Sequence, residues 1–198
     1  MIRLSPTSEL SFHCPVCQGK TEIQELLIPG MRPVARTSCP RCVRDFFQDL
    51  PVSHALHYPT TIDAKTGELF FKGLDWYPLL LQRALASQAY KQHYPITLQG
   101  EQQHKQLIVL NCLDTYYGHS LLKLLNAQYY LDTYPDYDLL IILPAFLVWM
   151  LPAGPVRSLL IDIPLKESYR WIISLDQKLK ETVFPSYKEI LLSPGYSH

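Results

Sequence analysis

The chain of 198 residues carries 18 basic and 18 acidic side chains, so its formal net charge is zero. Hydrophobic residues account for 47% and charged residues for 18%, which excludes a disordered chain and provides enough apolar material for a buried core. Because the charge is balanced, the composition argues against a protein that binds nucleic acid through bulk electrostatics.

The hydrophobic segments do not have the pattern of a targeting sequence or a membrane anchor. The amino-terminal stretch MIRLSPTSELSF lacks the apolar core of a signal peptide. The longest apolar run, residues 139–154, contains Pro144 and Pro152 and is too short to cross a bilayer as one helix. We therefore expect a cytoplasmic protein with no membrane span.

The cysteine spacing is the most specific pattern in the sequence. Two C-P-x-C pairs are formed by Cys14, Cys17, Cys39 and Cys42. Each C-x-x-C turn places two thiolates on one side, and two facing turns supply the tetrahedral ligand set of zinc. Because four thiolates leave no coordination position for a catalytic water, we predict a structural zinc ion in a zinc ribbon over residues 1–50.

Two other interpretations of these cysteines remain open. Disulfide pairing requires an oxidising compartment, and the sequence has no secretory signal. A redox C-x-x-C motif requires only one of the two pairs. His13 is a further candidate ligand, although four cysteines already complete the site, and Cys112 is expected to be a buried, unreactive thiol.

The first half of the chain is predicted to contain mainly short strands and one helix. Within the ribbon, short strands flank Pro29-Gly30, and residues 43–51 form a strand or an amphipathic turn. The connector, residues 51–104, is predicted to contain a β-hairpin over 57–73, a helix over 76–94 and a polar loop over 95–106 that marks the boundary to the next domain.

The second half, residues 105–198, alternates buried strands with helices. The predicted strands are 106–112, 138–144, 157–164 and 188–194, and the predicted helices are 119–134, 145–154 and 167–183. This alternation indicates a parallel sheet with helices on both faces, so the fold class is α/β: a Rossmann-like domain preceded by a small β-rich zinc ribbon. Because the chain stops at the carboxyl edge of the fourth strand, we expect a further domain or a partner protein to complete it.

The loop after the first of these strands carries the candidate site. Its candidate functional residues are Asn111, Asp114, Tyr116, Tyr117, Gly118 and His119. A loop after a parallel strand lies at the carboxyl edge of the sheet, where ligands bind in open α/β folds. We expect His119 and Asp114 to act as an acid–base pair, since histidine can change its charge near neutral pH.

The remaining loop residues are predicted to hold the substrate. Tyr116 and Tyr117 can stack on a sugar or a base, and Gly118 allows a ligand to approach the backbone at the helix start. The plainer interpretation is that Asp114 caps the turn, the tyrosines pack and His119 is exposed. Asn126 is expected to pack in the following helix with its amide hydrogen-bonded.

The segment from the Asn-x-x-Asp strand end through Tyr-Gly-His and LLKLLNAQ to the next strand resembles the N-terminal half of GT-B-fold glycosyltransferases. The resemblance covers residues 105–198. It implies an acceptor-side domain in which His119 is the base for a sugar hydroxyl and Asp114 orients it. It also implies a nucleotide-sugar donor bound by a second domain, without which this chain alone is inactive. The zinc ribbon resembles docking modules and is not a general feature of that family.

Two alternative functions follow from the same residues. The first is a non-enzymatic module whose zinc ribbon docks a protein or a nucleic acid, the second of which the zero net charge disfavours. The other is a small-nucleotide enzyme on a flavodoxin-like sheet.

Overall fold

The structure is a computed structural model that describes residues 10–73, 76–89 and 93–195, together with the backbone of residues 2–4. The predicted helix over 76–94 is present as α1 (Trp76–Ser87), and residues 90–92 of the prediction lie outside the described residues.

The chain forms a small antiparallel sheet and a larger mixed sheet. The small sheet contains β2 (Glu22–Leu27), β3 (Val34–Cys39), β4 (Arg44–Asp49), β5 (Thr60–Asp63) and β6 (Leu69–Phe71), in that order. The large sheet contains β1 (Ile2–Leu4), β7 (Ile96–Gln99), β8 (Gln106–Asn111), β9 (Tyr137–Pro144), β10 (Val156–Ile161) and β11 (Glu189–Leu192). Its order is β1-β11-β8-β9-β10-β7, and all neighbours are parallel except β7, which is antiparallel to β10. The predicted α/β class is therefore confirmed, with a mixed rather than a purely parallel sheet, while the Rossmann-like assignment stays a prediction.

The central strands are buried on both faces, as their continuous apolar sequences predict. One face packs against the small sheet with its loops and against the helical residues Leu175, Leu179 and Val183. The other face packs against two helices, α2 (Tyr117–Leu124) and α3 (Asn126–Thr133). Leu107, Val109 and Ile142 point to the first face, whereas Ile108 and Ile141 point to the second. Because neighbouring residues of a strand alternate between faces, one strand contributes to both cores.

The predicted strands of the large sheet and the hairpin are confirmed, but other predicted elements differ from the structure. The polar loop over 95–106 contains β7, in which Ile96 and Leu98 pack on the core while Thr97 is exposed. This alternation is typical of a half-buried edge strand. The helix over 119–134 is divided into α2 and α3. The predicted short helix over 145–154 is present as a 3-10 helix over Ala145–Met150.

The predicted helix over 167–183 is wrong in its first part. The α-helix there, α4 (Ile173–Lys178), begins only at Ile173 and continues as a π-helical turn. The backbone before it pairs elsewhere: Ile172 N–H donates to Pro29 O (2.6 Å), and Ser168 O accepts from Met31 N–H (3.2 Å). These tertiary hydrogen bonds replace the bonds that a longer helix would make.

The loop Pro29–Met31, between β2 and β3, joins the two sheets. Asn111 at the end of β8 donates from Nδ2 to Gly30 O at 2.8 Å, and its Oδ1 accepts from Leu113 N–H at 3.1 Å. A Cβ atom on Gly30 would lie 2.5 Å from Arg170 O, so the loop fits there only without a side chain.

The three predicted domains, 1–50, 51–104 and 105–198, stay a prediction. Hydrogen bonds cross both boundaries, since β4 pairs with β5 and β7 pairs with β10. Among the described residues, no helix combines the length and the apolar character needed to cross a membrane. The cytoplasmic location also stays a prediction.

Replacing Gly30 should destabilise the junction between the sheets. We expect Gly30→Ala to lower the free energy of unfolding by about 1–3 kcal/mol, because the added methyl group forces Arg170 O to move. Gly118→Ala is the matched control: its Cβ would meet nothing within 4 Å. Alanine is also the better helix former, so the control should equal or exceed the parent in urea unfolding. Equal losses in both variants would contradict the role of Gly30.

Candidate functional site

The four cysteines of the two C-P-x-C pairs converge. Their sulfur atoms all lie within 4.8 Å of one another, with 3.8 Å between Cys14 and Cys42 and 3.6 Å between Cys17 and Cys39. A tetrahedron with Zn–S bonds of about 2.3 Å has edges of about 3.8 Å. All five cysteines are free, so the disulfide alternative does not describe this structure. The arrangement fits a zinc ion held by four thiolates.

Both cysteine turns are closed by their own backbone. Gln18 N–H donates to Cys14 O and Val43 N–H donates to Cys39 O, both at 2.9 Å. The residues after the second cysteine of each pair, Gln18 and Val43, have φ values of 58° and 52°. This left-handed conformation is unfavourable for a β-branched residue, and Val43 is also 88% exposed. The turn geometry, not local preference, sets its conformation.

The surroundings of the sulfur atoms give their thiols different acidities. A hydrogen bond from the backbone of Gly19 lowers the pKa of Cys17 to about 7. Hydrogen bonding to Cys17, together with burial, raises the pKa of Cys42 to about 12. Since the thiolate is the form that binds metal, zinc binding would release the proton of Cys42. His13 does not belong to the metal-binding group that the described residues form.

The apolar core around the cysteines is small. Cys14 and Cys39 are buried with Phe46, and Phe70 packs on them from outside. Arg44 covers both rings at 5.7 Å and 5.9 Å and is paired with two carboxylates. One large buried side chain provides little hydrophobic stabilisation. A metal ion would therefore contribute much of the stability of this region.

Metal content tests this site directly. We expect about one zinc ion per chain in purified protein, measured by elemental analysis. Cys39→Ser should lose the metal and lower the melting temperature, since it removes one of four ligands. Cys112→Ala is the control, because Cys112 lies in the core of the large sheet and not in the cluster. A folded protein that contains no metal would contradict the prediction.

The second candidate site lies at the carboxyl edge of the large sheet. The chain runs from β8 to β9 to β10 in one direction and then places β11 on the opposite side of β8. The crevice between the carboxyl ends of β8 and β11 is therefore a topological switch point, where ligands bind in open α/β sheets. The predicted loop follows β8 at this point, and the segment Ser193–Gly195 follows β11 beside it, where Ser193 N–H donates to Val109 O at 2.9 Å.

Asp114 is the centre of this site. Its Oδ1 lies 3.2 Å from His119 Nδ1 and accepts from Tyr116 N–H, while its Oδ2 accepts from Lys123 Nζ at 3.0 Å. Lys123 also donates to Leu113 O at 2.9 Å. Asp114 and Lys123 are only 3% and 1% exposed, so this ion pair is buried.

The electrostatics keep Asp114 ionised. Burial alone would raise the pKa of this carboxyl group, but the ammonium group of Lys123 and the hydrogen bonds lower it overall. The carboxylate of Asp114 accepts from the backbone of the turn, as expected of a capping residue, and also lies against His119, while its catalytic role stays a prediction. Ionised Asp114 favours the His119 tautomer with the proton on Nδ1.

The other predicted substrate-binding residues surround this pair in different ways. Tyr116 is 60% exposed with its ring centroid 5.3 Å from that of His119, and Tyr117 is exposed with its hydroxyl group 3.6 Å from Met150 Sδ. Gly118 faces open space. Asn111 is buried and bonded to Gly30, so its amide serves the junction between the sheets.

The two residues given non-catalytic roles are buried. Burial raises the pKa of Cys112 to about 12, which fits an unreactive thiol. Asn126 packs at the start of α3 and donates from Nδ2 to Gly195 O. This bond links α3 to the loop after β11, on the far side of the crevice.

Two members of the site, Lys123 and His54, were not predicted from the sequence. Lys123 follows His119 by one helical turn, and that spacing was a signal for a shared helix face. His54 comes from a 3-10 helix, Ser53–Leu56, and its ring centroid lies 5.4 Å from that of His119. No local pattern connects it to the loop. A small cavity of about 10 Å³, roughly the space of one water molecule, is lined by His54, Asp114 and Lys123 together with Arg32 and Tyr77.

The chain was compared with protein-family models, curated proteins and solved structures. No protein-family model, no curated protein and no solved structure matches the chain. The resemblance to glycosyltransferases therefore has no support from a relative.

The buried ion pair should make stability depend on pH. Asp114 has a lowered pKa in the folded state, so its contribution is complete above the unfolded value of about 4 and is lost as the pH falls below it. Asp114→Asn should cost about 3 kcal/mol at neutral pH by leaving Lys123 without its counter-ion. The difference from the parent should shrink below about pH 4, measured by urea unfolding.

Asp132→Asn is the control for this experiment. Asp132 is exposed and accepts a hydrogen bond from Gln128 at 2.8 Å on the helix surface. We expect its loss to change stability by less than about 0.5 kcal/mol at every pH. A constant deficit of Asp114→Asn from neutral to acid pH would show that the ion pair does not carry the effect.

Proposed function

We propose that the chain is the acceptor-side half of a glycosyltransferase-like enzyme, a Rossmann-like α/β domain to which the four-cysteine region adds a structural zinc. The observation that carries this proposal is the Asp114–His119 pair at the switch point between β8 and β11. A polar, titratable pair at this position matches the needs of proton removal from a bound hydroxyl group.

The chemistry follows from the orientation of the imidazole. With the proton on Nδ1 facing Asp114, Nε2 of His119 carries a lone pair on the opposite side of the ring. The side chain of His119 is 31% exposed, so a substrate can reach it. Nε2 takes the proton of an acceptor hydroxyl group. The oxygen of that hydroxyl group then bonds to the anomeric carbon of the donor. The bond from that carbon to the donor phosphate breaks, and the phosphate leaves with the electron pair.

Exposed aromatic rings at the same edge support a sugar acceptor. Tyr116 and Tyr117 lie after β8, while Phe146 and Trp149 lie after its neighbour β9. Trp149 is 71% exposed. Aromatic faces of this kind pack on the apolar face of a sugar ring and leave its hydroxyl groups free to hydrogen-bond.

The donor belongs on a different surface in this proposal. The loop after β8 contains a single glycine and lacks the G-x-G-x-x-G pattern that brings a backbone close to a pyrophosphate. The nucleotide sugar is therefore assigned to a second domain or a partner protein facing this edge.

A transfer assay tests the proposal. The protein, with any partner that copurifies, is incubated with a panel of nucleotide sugars and acceptor glycans, and release of nucleoside diphosphate is measured. We expect His119→Ala to reduce the rate by about 100-fold or more, because it removes the base. His57→Ala is the matched control, since His57 is exposed and packs on Tyr58 rather than on the site. Equal rates for both variants would exclude His119 as the base.

The same panel separates this proposal from a small-nucleotide enzyme. Thermal shifts are recorded with free nucleotides, nucleotide sugars and acceptor glycans. Stabilisation by acceptor glycans supports the acceptor-side assignment, whereas stabilisation by free nucleotides alone supports the other enzyme class.

A further inference from the structure

We propose that His54 is a positioning residue that holds the imidazole of His119 in its working orientation. The inference deepens the proposed function and rests on it, since it assigns a second histidine to the same site. It also gives the region of the small sheet a part in the site, because Ser53–Leu56 follows β4 and precedes β5.

The ring geometry places His54 in contact with the site. Its centroid lies 5.4 Å from that of His119, with the planes at 64°, which is an edge-to-face contact. The ring of His54 also contacts two rings of α1 (Trp76–Ser87). Its centroid lies 5.5 Å from that of Tyr77 and 5.9 Å from that of Trp76. His119 therefore contacts the carboxylate of Asp114 and the rings of Tyr116 and His54, among other groups.

The backbone under His54 is fixed to the switch point. Ser53 N–H donates to Pro194 O at 2.6 Å, in the loop that follows β11. A Cβ atom on Gly195 would lie 2.8 Å from Ser53 Oγ, so the two segments are in close contact. Ser53 has a φ of 53°, an unfavourable value for a residue other than glycine. Strained backbone of this kind persists where surrounding contacts impose it, often at functional sites.

The charges around His54 indicate how it acts. The groups that face it are His119, Asp114, Lys123 and Arg32, with the ring of Tyr77 beside them. Burial lowers the pKa of His54, and the positive groups lower it further, while Asp114 opposes them. Near neutral pH His54 is thus an uncharged ring. It supports His119 by packing and does not compete with it as a cation for Asp114.

The tautomer of His119 is the property that tests this role. Imidazole nitrogen shifts are measured by NMR in the complete protein, in His54→Gln and in His57→Gln. We expect the parent and His57→Gln to show His119 as one species with its proton on Nδ1. In His54→Gln the loss of the ring contact should give a mixture of both tautomers. His54→Phe, which keeps an aromatic ring at this position, should restore the single species.

The outcomes separate this inference from the proposed function. An unchanged His119 in His54→Gln overturns the inference, whatever the protein catalyses. A mixture in His54→Gln that His54→Phe does not correct also overturns it, because the effect would not come from ring packing. The NMR measurement requires no sugar substrate. Its result is therefore independent of whether the transfer assay is positive or negative.

Where transfer is observed, kinetics give a second measurement. His54→Gln should lower kcat about tenfold with KM unchanged. A displaced base reduces the stabilisation of the transition state but leaves the binding of the substrate unchanged. His57→Gln should leave both constants at parental values. A rise in KM with kcat unchanged would assign His54 to substrate binding instead and overturn the positioning role.

Discussion

The contact of Pro29–Met31 with the edge of the large sheet is the constraint on which the rest of the structure depends. Gly30 O accepts from Asn111 at the end of β8, and the neighbouring residues bond to the segment before α4. These hydrogen bonds fix the small sheet at the carboxyl edge rather than elsewhere on the α/β core. Because β4 leads from the cysteine turns to Ser53–Leu56, the same contact determines where His54 lies. The four-cysteine region and the candidate site are thus positioned by the same hydrogen bonds.

The buried pair of Asp114 and Lys123 imposes a second requirement on the site. Two charges removed from water cost several kcal/mol each, which their attraction and hydrogen bonds must offset. Lys123 achieves this by bonding to Leu113 O as well as to the carboxylate, and Asp114 by accepting from Tyr116 N–H. The ionised carboxylate favours the His119 tautomer that carries its proton on Nδ1. A hydrophobic pair of similar volume would stabilise the fold equally well, but it would not orient an imidazole.

The sequence predicted those features that local patterns encode. The cysteine spacing identified the metal-binding group, and continuous apolar runs identified the buried strands. The loop after β8 was recognised because its polar residues follow such a run. Lys123 and His54 were missed for different reasons: the first is a charged residue on an apolar helix face, and the second is distant in sequence from the loop. The early start predicted for α4 failed because tertiary hydrogen bonds to Pro29 and Met31 overrode helical periodicity. The sequence could not show contacts of this kind, since neither partner carries a local signal.

The pairing of β8 with β11 has a consequence for how the protein is made. These strands are adjacent in the sheet, yet the segments that form β9, α4 and β10 lie between them in the chain. On the ribosome, the switch point beside Asp114 and His119 cannot form until β11 has emerged. The four cysteines, in contrast, all lie between residues 14 and 42, well before β8 in the chain. Metal capture can therefore precede assembly of the site, and the high separation of the β8–β11 contacts makes their closure a slow, late step of folding.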